Sequence, residues 1–341
     1  MSVPNIYSST DAGAPTFIPN DSTTWLPLLK ACLVNGYTGK PGAGWTIAYE
    51  DDVAQTLVLR QGSGNQRYLW LGNPGYSASN TYIAMRYFQA VSYLYMSDIN
   101  DGTGMWPTAA NQNVWSMASS YNAQSGTALQ WRVFASNKFF LIYIYPTQSY
   151  TTNVYPKQVF FFGDFPSTVQ NDTYNTILNG YNISSTSNSW NLGNGSSDNF
   201  PFSNYGAYTS APGQALWVAG PYYQQLGLPQ PVRFNPRNLA LVGNGYSASG
   251  SANTTGVNFF PDFCTNGLYL SQLDIHEYWN STASIRGTLP GIFAPCFNTV
   301  HADGTIVEGT GDLAGHQFMS VNNLAHFPSA TLYIQVDEWN D

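Results

Sequence analysis

Charge is scarce in this chain. Only 9% of its 341 residues are Asp, Glu, Lys or Arg, against about 25% in an average soluble domain. Lysine and arginine together number 11, against 19 acids, for a net charge of −8. The cations fall singly along the sequence, so there is no basic cluster to release counterions, and a nucleic-acid partner is not expected. Cysteine is sparse too. Cys32, Cys264 and Cys296 form no C-x-x-C pair, and an odd count does not suit a disulfide scaffold; they read as buried thiols. Long apolar runs are lacking as well. FFLIYIY at 139–145 falls far short of the ~20 residues that span a bilayer, and MSVPNIYSSTDAGAP has neither region of a secretory signal. The chain reads as soluble, with no membrane insertion.

What is abundant is ring and hydroxyl. Aromatics make up 16%, with 24 Tyr, 19 Phe and 10 Trp, beside 31 Gly and 20 Pro. Exposed faces must then be covered by Ser, Thr, Asn, Gln and Tyr. Such surfaces meet neighbours without desolvating charge, which points to work done by contact.

One helix is predicted near 23–34. Trp25, Leu28, Leu29, Cys32 and Leu33 fall on a single helical face, Ser22 or Thr23 is placed to cap it, Pro27 falls in its first turn, and Gly36 ends it. The segment NGYTGKPGAGW that follows is rich in turn residues and poor in chemistry. It reads as a hinge that docks the helix onto a sheet, with Trp45 packed on Leu29 and Leu33. After it the period becomes two. Strands are predicted at 45–50, 56–61 and 67–72, the last two joined by GSGNQ. A hairpin is predicted over 129–145, turning at Ser136-Asn137, and a strand at 157–164, with Phe160 and Phe162 on one face and Val159 and Phe161 on the other. Further strands are predicted at 239–243, 267–275, 283–289, 305–311 and 330–339, with a hairpin turn at Asp303-Gly304. The tract NGYNISSTSNSWNLGNGSSDNF reads as loop. GYSAS occurs at 75–79 and again at 245–249, which composition explains without a duplication.

The pattern predicts an all-β protein of two β-sandwich or barrel-like domains with one short N-terminal helix. The expected division is 1–165, carrying the helix, and 166–341, carrying a polar loop tract near 180–215.

Candidate chemistry is thin. His276-Glu277 begins an H-E-x-x-H pattern, but position 280 is Asn, so the second zinc ligand is missing. His301, His316 and His326, with Asp303 and Asp312, have the residue types of a zinc site without a spacing that gathers them. DINDGTG at 98–104 imitates a calcium loop, yet Ala109 stands where a bidentate carboxylate belongs; a Gly-rich turn held by Asp98 and Asp101 is expected. GTGDLAG at 309–315 has the wrong glycine intervals for a dinucleotide loop. The acids of YEDD (49–52) and QVDEWND (335–341) are the candidates for a glycosidase pair. No catalytic, cofactor or metal site is assigned, and no enzyme is expected. Loops DGTGMWP and NSWNLGNGSSDNF hold Trp beside Asn and Asp, the chemistry that grips sugar rings.

LLKACLVNGYTGKPGAGWT (28–46), followed by LVLRQGSGNQRYLWL (57–71), resembles a family of uncharacterised virion structural proteins of tailed bacteriophages. YLYMSDINDGTGMWPT (93–108), FFFGDFPS (160–167), IRGTLPGIFAP (285–295) and GTGDLAGHQFMSV (309–321) are similar to further segments of that family, in the same order. The resemblance implies a tail, baseplate or neck subunit of the virion, assembled in the host bacterial cytoplasm and binding its own copies and other virion proteins. The alternative is a receptor- or glycan-binding module of the phage tail, with a host surface glycan as partner. No catalytic residue comes with the resemblance.

Overall fold

In a computed structural model, the residues described are 1–18, 21–72, 86–106, 113–117, 128–145, 158–182, 215–218, 233–236, 270–279, 282–295, 301–322 and 331–341. They are mostly strand, arranged in several sheets with a single short α-helix. The protein is all-β.

The helix α1 (Ser22–Leu29) runs directly into a π-helical turn, Lys30–Asn35. Its cap is neither Ser22 nor Thr23 but Asp21, whose carboxylate accepts the Thr23 N–H at 3.0 Å and the Thr23 hydroxyl at 2.6 Å. An ionised acceptor suits the positive end of a helix better than a hydroxyl does, which puts Ser22 and Thr23 inside the first turn. Pro27 therefore lies beyond that turn, where its missing N–H costs a helical bond, and the wider π-turn follows at once. Gly36, at φ +72°, ends the element as expected. Trp25, Leu28, Leu29, Cys32 and Leu33 are all buried in one cluster.

The larger sheet is formed by β1 (Asn5–Ser8), β2 (Thr46–Asp51), β3 (Thr56–Arg60), β4 (Tyr68–Gly72), β5 (Arg86–Tyr93), β8 (Asn113–Met117), β9 (Gln130–Ala135), β10 (Phe139–Tyr145), β11 (Gln158–Asp164), β12 (Thr176–Asn182) and β13 (Ala215–Val218). Its order is β1-β9-β10-β11-β12-β8-β5-β4-β3-β2, with β13 also beside β12. Strands β6 (Tyr95–Asp98) and β7 (Asp101–Thr103) make a separate hairpin. The second sheet, β14-β15-β16-β19-β18-β17, uses β14 (Arg233–Pro236), β15 (Leu270–Trp279), β16 (Thr282–Pro295), β17 (Ile306–Glu308), β18 (Gln317–Asn322) and β19 (Thr331–Gln335).

The predicted hairpin is β9–β10, with Phe140 opposite Ala135 and Ser136 at the turn. Within the tract read as loop, Asn179–Asn182 belong instead to β12, because β13 and β8 supply backbone partners that local propensity does not reveal. Asp303-Gly304 does form a turn, closed by Thr305 N–H to Ala302 O at 3.0 Å, but it leads into β17, which pairs with β18. The strand predicted at 239–243, both GYSAS copies, Cys264, Cys296 and most of the polar tract lie outside the described residues.

Strand β10 sits at the centre. All seven of its residues are buried. Phe140, Ile142 and Ile144 join Phe160, Phe162, the helix and Leu57, Leu59, Leu69 and Leu71 of β3 and β4 in one core. Phe139, Leu141, Tyr143 and Tyr145 join Val159 and Phe161 in a second core, which the C-terminal sheet completes with Leu273, Ile275, Leu289, Ile292, Leu332 and Ile334. The alternation predicted for 157–164 is therefore what divides β11 between the two cores. The second core draws on both sides of residue 165.

Candidate functional site

Four of the segments quoted above, 28–46, 57–71, 160–167 and 285–295, lie far apart in sequence and come together in space. The turn after the helix is anchored through Ala43 N–H to Cys32 O and Trp45 N–H to Leu33 O, both at 3.0 Å. Trp45 is buried in the helix-side core; its indole N–H donates to Ser136 O at 2.7 Å, and its ring packs edge-on against Phe140. The turn between β3 and β4 presses on the same place. Gly62 N–H bonds Asn137 O at 2.9 Å, and a Cβ on Gly62 would lie 2.1 Å from Gly44 O. Glycine is required there by close backbone approach.

That turn also grips the end of β11. Asp164 accepts from Asn65 N–H at 2.7 Å and from the Thr176 hydroxyl at 2.6 Å, while its own N–H bonds Lys138 O at 3.0 Å. Burial pushes the Asp164 carboxyl upward, against the pull of these bonds, of Gln61 and of the Arg67 charge. Arg67 is fully buried, its guanidinium 6.0 Å from the Tyr174 ring centroid. Burial lowers its pKa, while Asp164 and Tyr174 act to raise it.

A second junction joins the chain halves. Thr168 N–H bonds Arg286 O at 2.8 Å and Thr288 N–H bonds Pro166 O at 3.1 Å, with Arg286 Nη2 2.6 Å from Asp172 Oδ2. FFFGDFPS and IRGTLPGIFAP are thus paired backbone to backbone.

The side chains weighed as chemistry are engaged separately. His301 Nδ1 lies 2.6 Å from the Tyr333 hydroxyl, and His316 Nδ1 lies 2.9 Å from Asp337 Oδ2 and 3.1 Å from Gln335 Nε2. Asp303 pairs with Arg132 at 3.0 Å, and Asp312 is exposed in a short 3-10 turn. His326 lies outside the described residues. His276 and Glu277 sit on β15 opposite Ile285 and Ser284 of β16. Among the described residues, no three His, Cys, Asp or Glu side chains gather as a metal site would require. Glu50 and Asp52 share Lys30, at 3.1 and 3.5 Å. Asp98 bonds the Ile99 N–H and Asp101 the Ser97 hydroxyl, holding the β6–β7 turn.

Trp106 of DGTGMWP is buried in the helix-side core, where it is closed to a sugar. NSWNLGNGSSDNF lies outside the described residues. Cys32 is buried, and burial followed by the nearby Asp11 charge raises its thiol far above the usual range.

Sequence reasoning missed that Arg67 and Asp164 act on one another electrostatically. The only sequence signal was two charged residues standing next to Gly-rich turns in a chain with few charges. Compared with known proteins, the chain matches no family model, and no curated protein is significantly similar to it.

Proposed function

We propose that this chain is a structural subunit of a tailed-bacteriophage virion, a tail, baseplate or neck component that works by protein–protein contact and not by catalysis. The observation that carries the reading is the meeting of the resembling segments. RQGSG packs against the turn 36–45 and against Asp164 of FFFGDFPS, and the latter segment pairs with IRGTLPG. Four segments that resemble one family, in order, and that meet in one framework support the reading better than any single resemblance would. Composition supports it: obligate contacts favour rings and are poor in Lys and Glu, and closed symmetry is the usual arrangement of such copies.

The test is the protein content of purified particles. Quantitative mass spectrometry should find this chain at a fixed whole-number ratio to the major tail protein. Particles that lack it would remove the reading.

A further inference from the structure

Arg67 is 0% exposed, and none of its Nε, Nη1 and Nη2 has a hydrogen-bond partner among the described residues. Its backbone is settled: the N–H donates to Gln61 Oε1 at 2.8 Å and the carbonyl accepts from Gln61 N–H at 3.2 Å. The head group is not. Asp164, the opposing charge that acts on it, already accepts from Asn65 and Thr176 on its two oxygens. Tyr174 offers only its ring face. Ser63 Oγ, in the same turn, is likewise buried with no partner among the described residues.

A guanidinium carries five N–H donors. Leaving a buried charged donor unmade costs far more than an ordinary hydrogen bond returns, and native proteins satisfy nearly all such groups with protein or ordered solvent. We infer that Arg67 holds a small hydrogen-bond acceptor from outside the chain, a water molecule or a monovalent halide, at the junction of the 61–67 turn with β11 and β12. Both sources share one chemistry, a single-atom acceptor small enough to reach a fully enclosed guanidinium. Buried waters of this kind make two to four bonds to groups the fold cannot otherwise satisfy. The bound acceptor completes the end of the helix-side core, where the stem of Arg67 continues the face of Leu69 and Leu71.

The experiment is a high-resolution crystal structure of the full chain from sodium chloride, repeated in sodium bromide with anomalous data. A non-protein density peak within hydrogen-bond reach of the guanidinium is expected in both. An anomalous bromide peak assigns it to a halide, and its absence to water. Melting in chloride against sulfate at matched ionic strength should agree: a halide raises the wild-type midpoint and not that of Arg67→Met, while water leaves both indifferent to the anion. Finding every guanidinium nitrogen bonded to protein oxygens, with no peak beside it, overturns the inference.

Discussion

Gly291 lies directly against the indole of Trp339: a Cβ on this glycine would sit 2.0 Å from Trp339 Nε1. The glycine has φ +61°, and Trp339 is fully buried, donating to Gln335 O at 2.8 Å and packing edge-on against Phe139. Strand β16 and ring therefore fix one another at the floor of the second core.

Gly291→Ala combines a left-handed backbone with a clash against a ring that cannot retreat. The expected loss is on the order of 3 kcal/mol, read as a lower urea midpoint. A midpoint equal to wild type would falsify the packing described here.

Trp45 permits a graded test. Trp45→Ala should cost about 3–5 kcal/mol, the range for emptying a buried aromatic site. Trp45→Phe keeps a ring beside Phe140 and loses the bond to Ser136 O, so about 1 kcal/mol is expected. Equal losses from both substitutions would mean that the hydrogen bond, and not the ring, holds the turn.

Acid should act on the two acidic junctions with opposite signs. Burial alone would raise Asp337, but the hydrogen bond from His316 and the backbone N–H groups outweigh it and hold the carboxyl below its ordinary 3.8. Its stabilisation is complete above that value and is lost as pH falls through the lower folded one. The melting gap between wild type and Asp337→Asn should therefore close below about pH 4. Asp164 is raised, so its ionised form weighs against folding near neutrality, and that penalty fades as pH falls through its elevated value. A gap for Asp337→Asn that stays constant down to pH 3 would refute the first assignment.

The parts legible in the sequence were those governed by neighbours along the chain. The helical face from Trp25 to Leu33, the turn at Ser136 and the split of Val159–Phe162 between two faces all follow from local spacing. The cap went to Asp21 because two adjacent hydroxyls concealed the stronger acceptor beside them. Strand β12 was hidden because its Asn-Gly-Tyr-Asn end is strand only through β13 and β8. The Arg67–Asp164 junction was invisible for a similar reason: the two residues stand nearly a hundred positions apart, and nothing local records that the turns meet.

Strand β10 turns one side chain after another into separate interiors and leaves none for water. Such a ribbon has no freedom to drift, since any polar replacement, on either side, is stranded among rings. The seven letters FFLIYIY should therefore outlast the surface around them, and more distant kin are best sought by that signature.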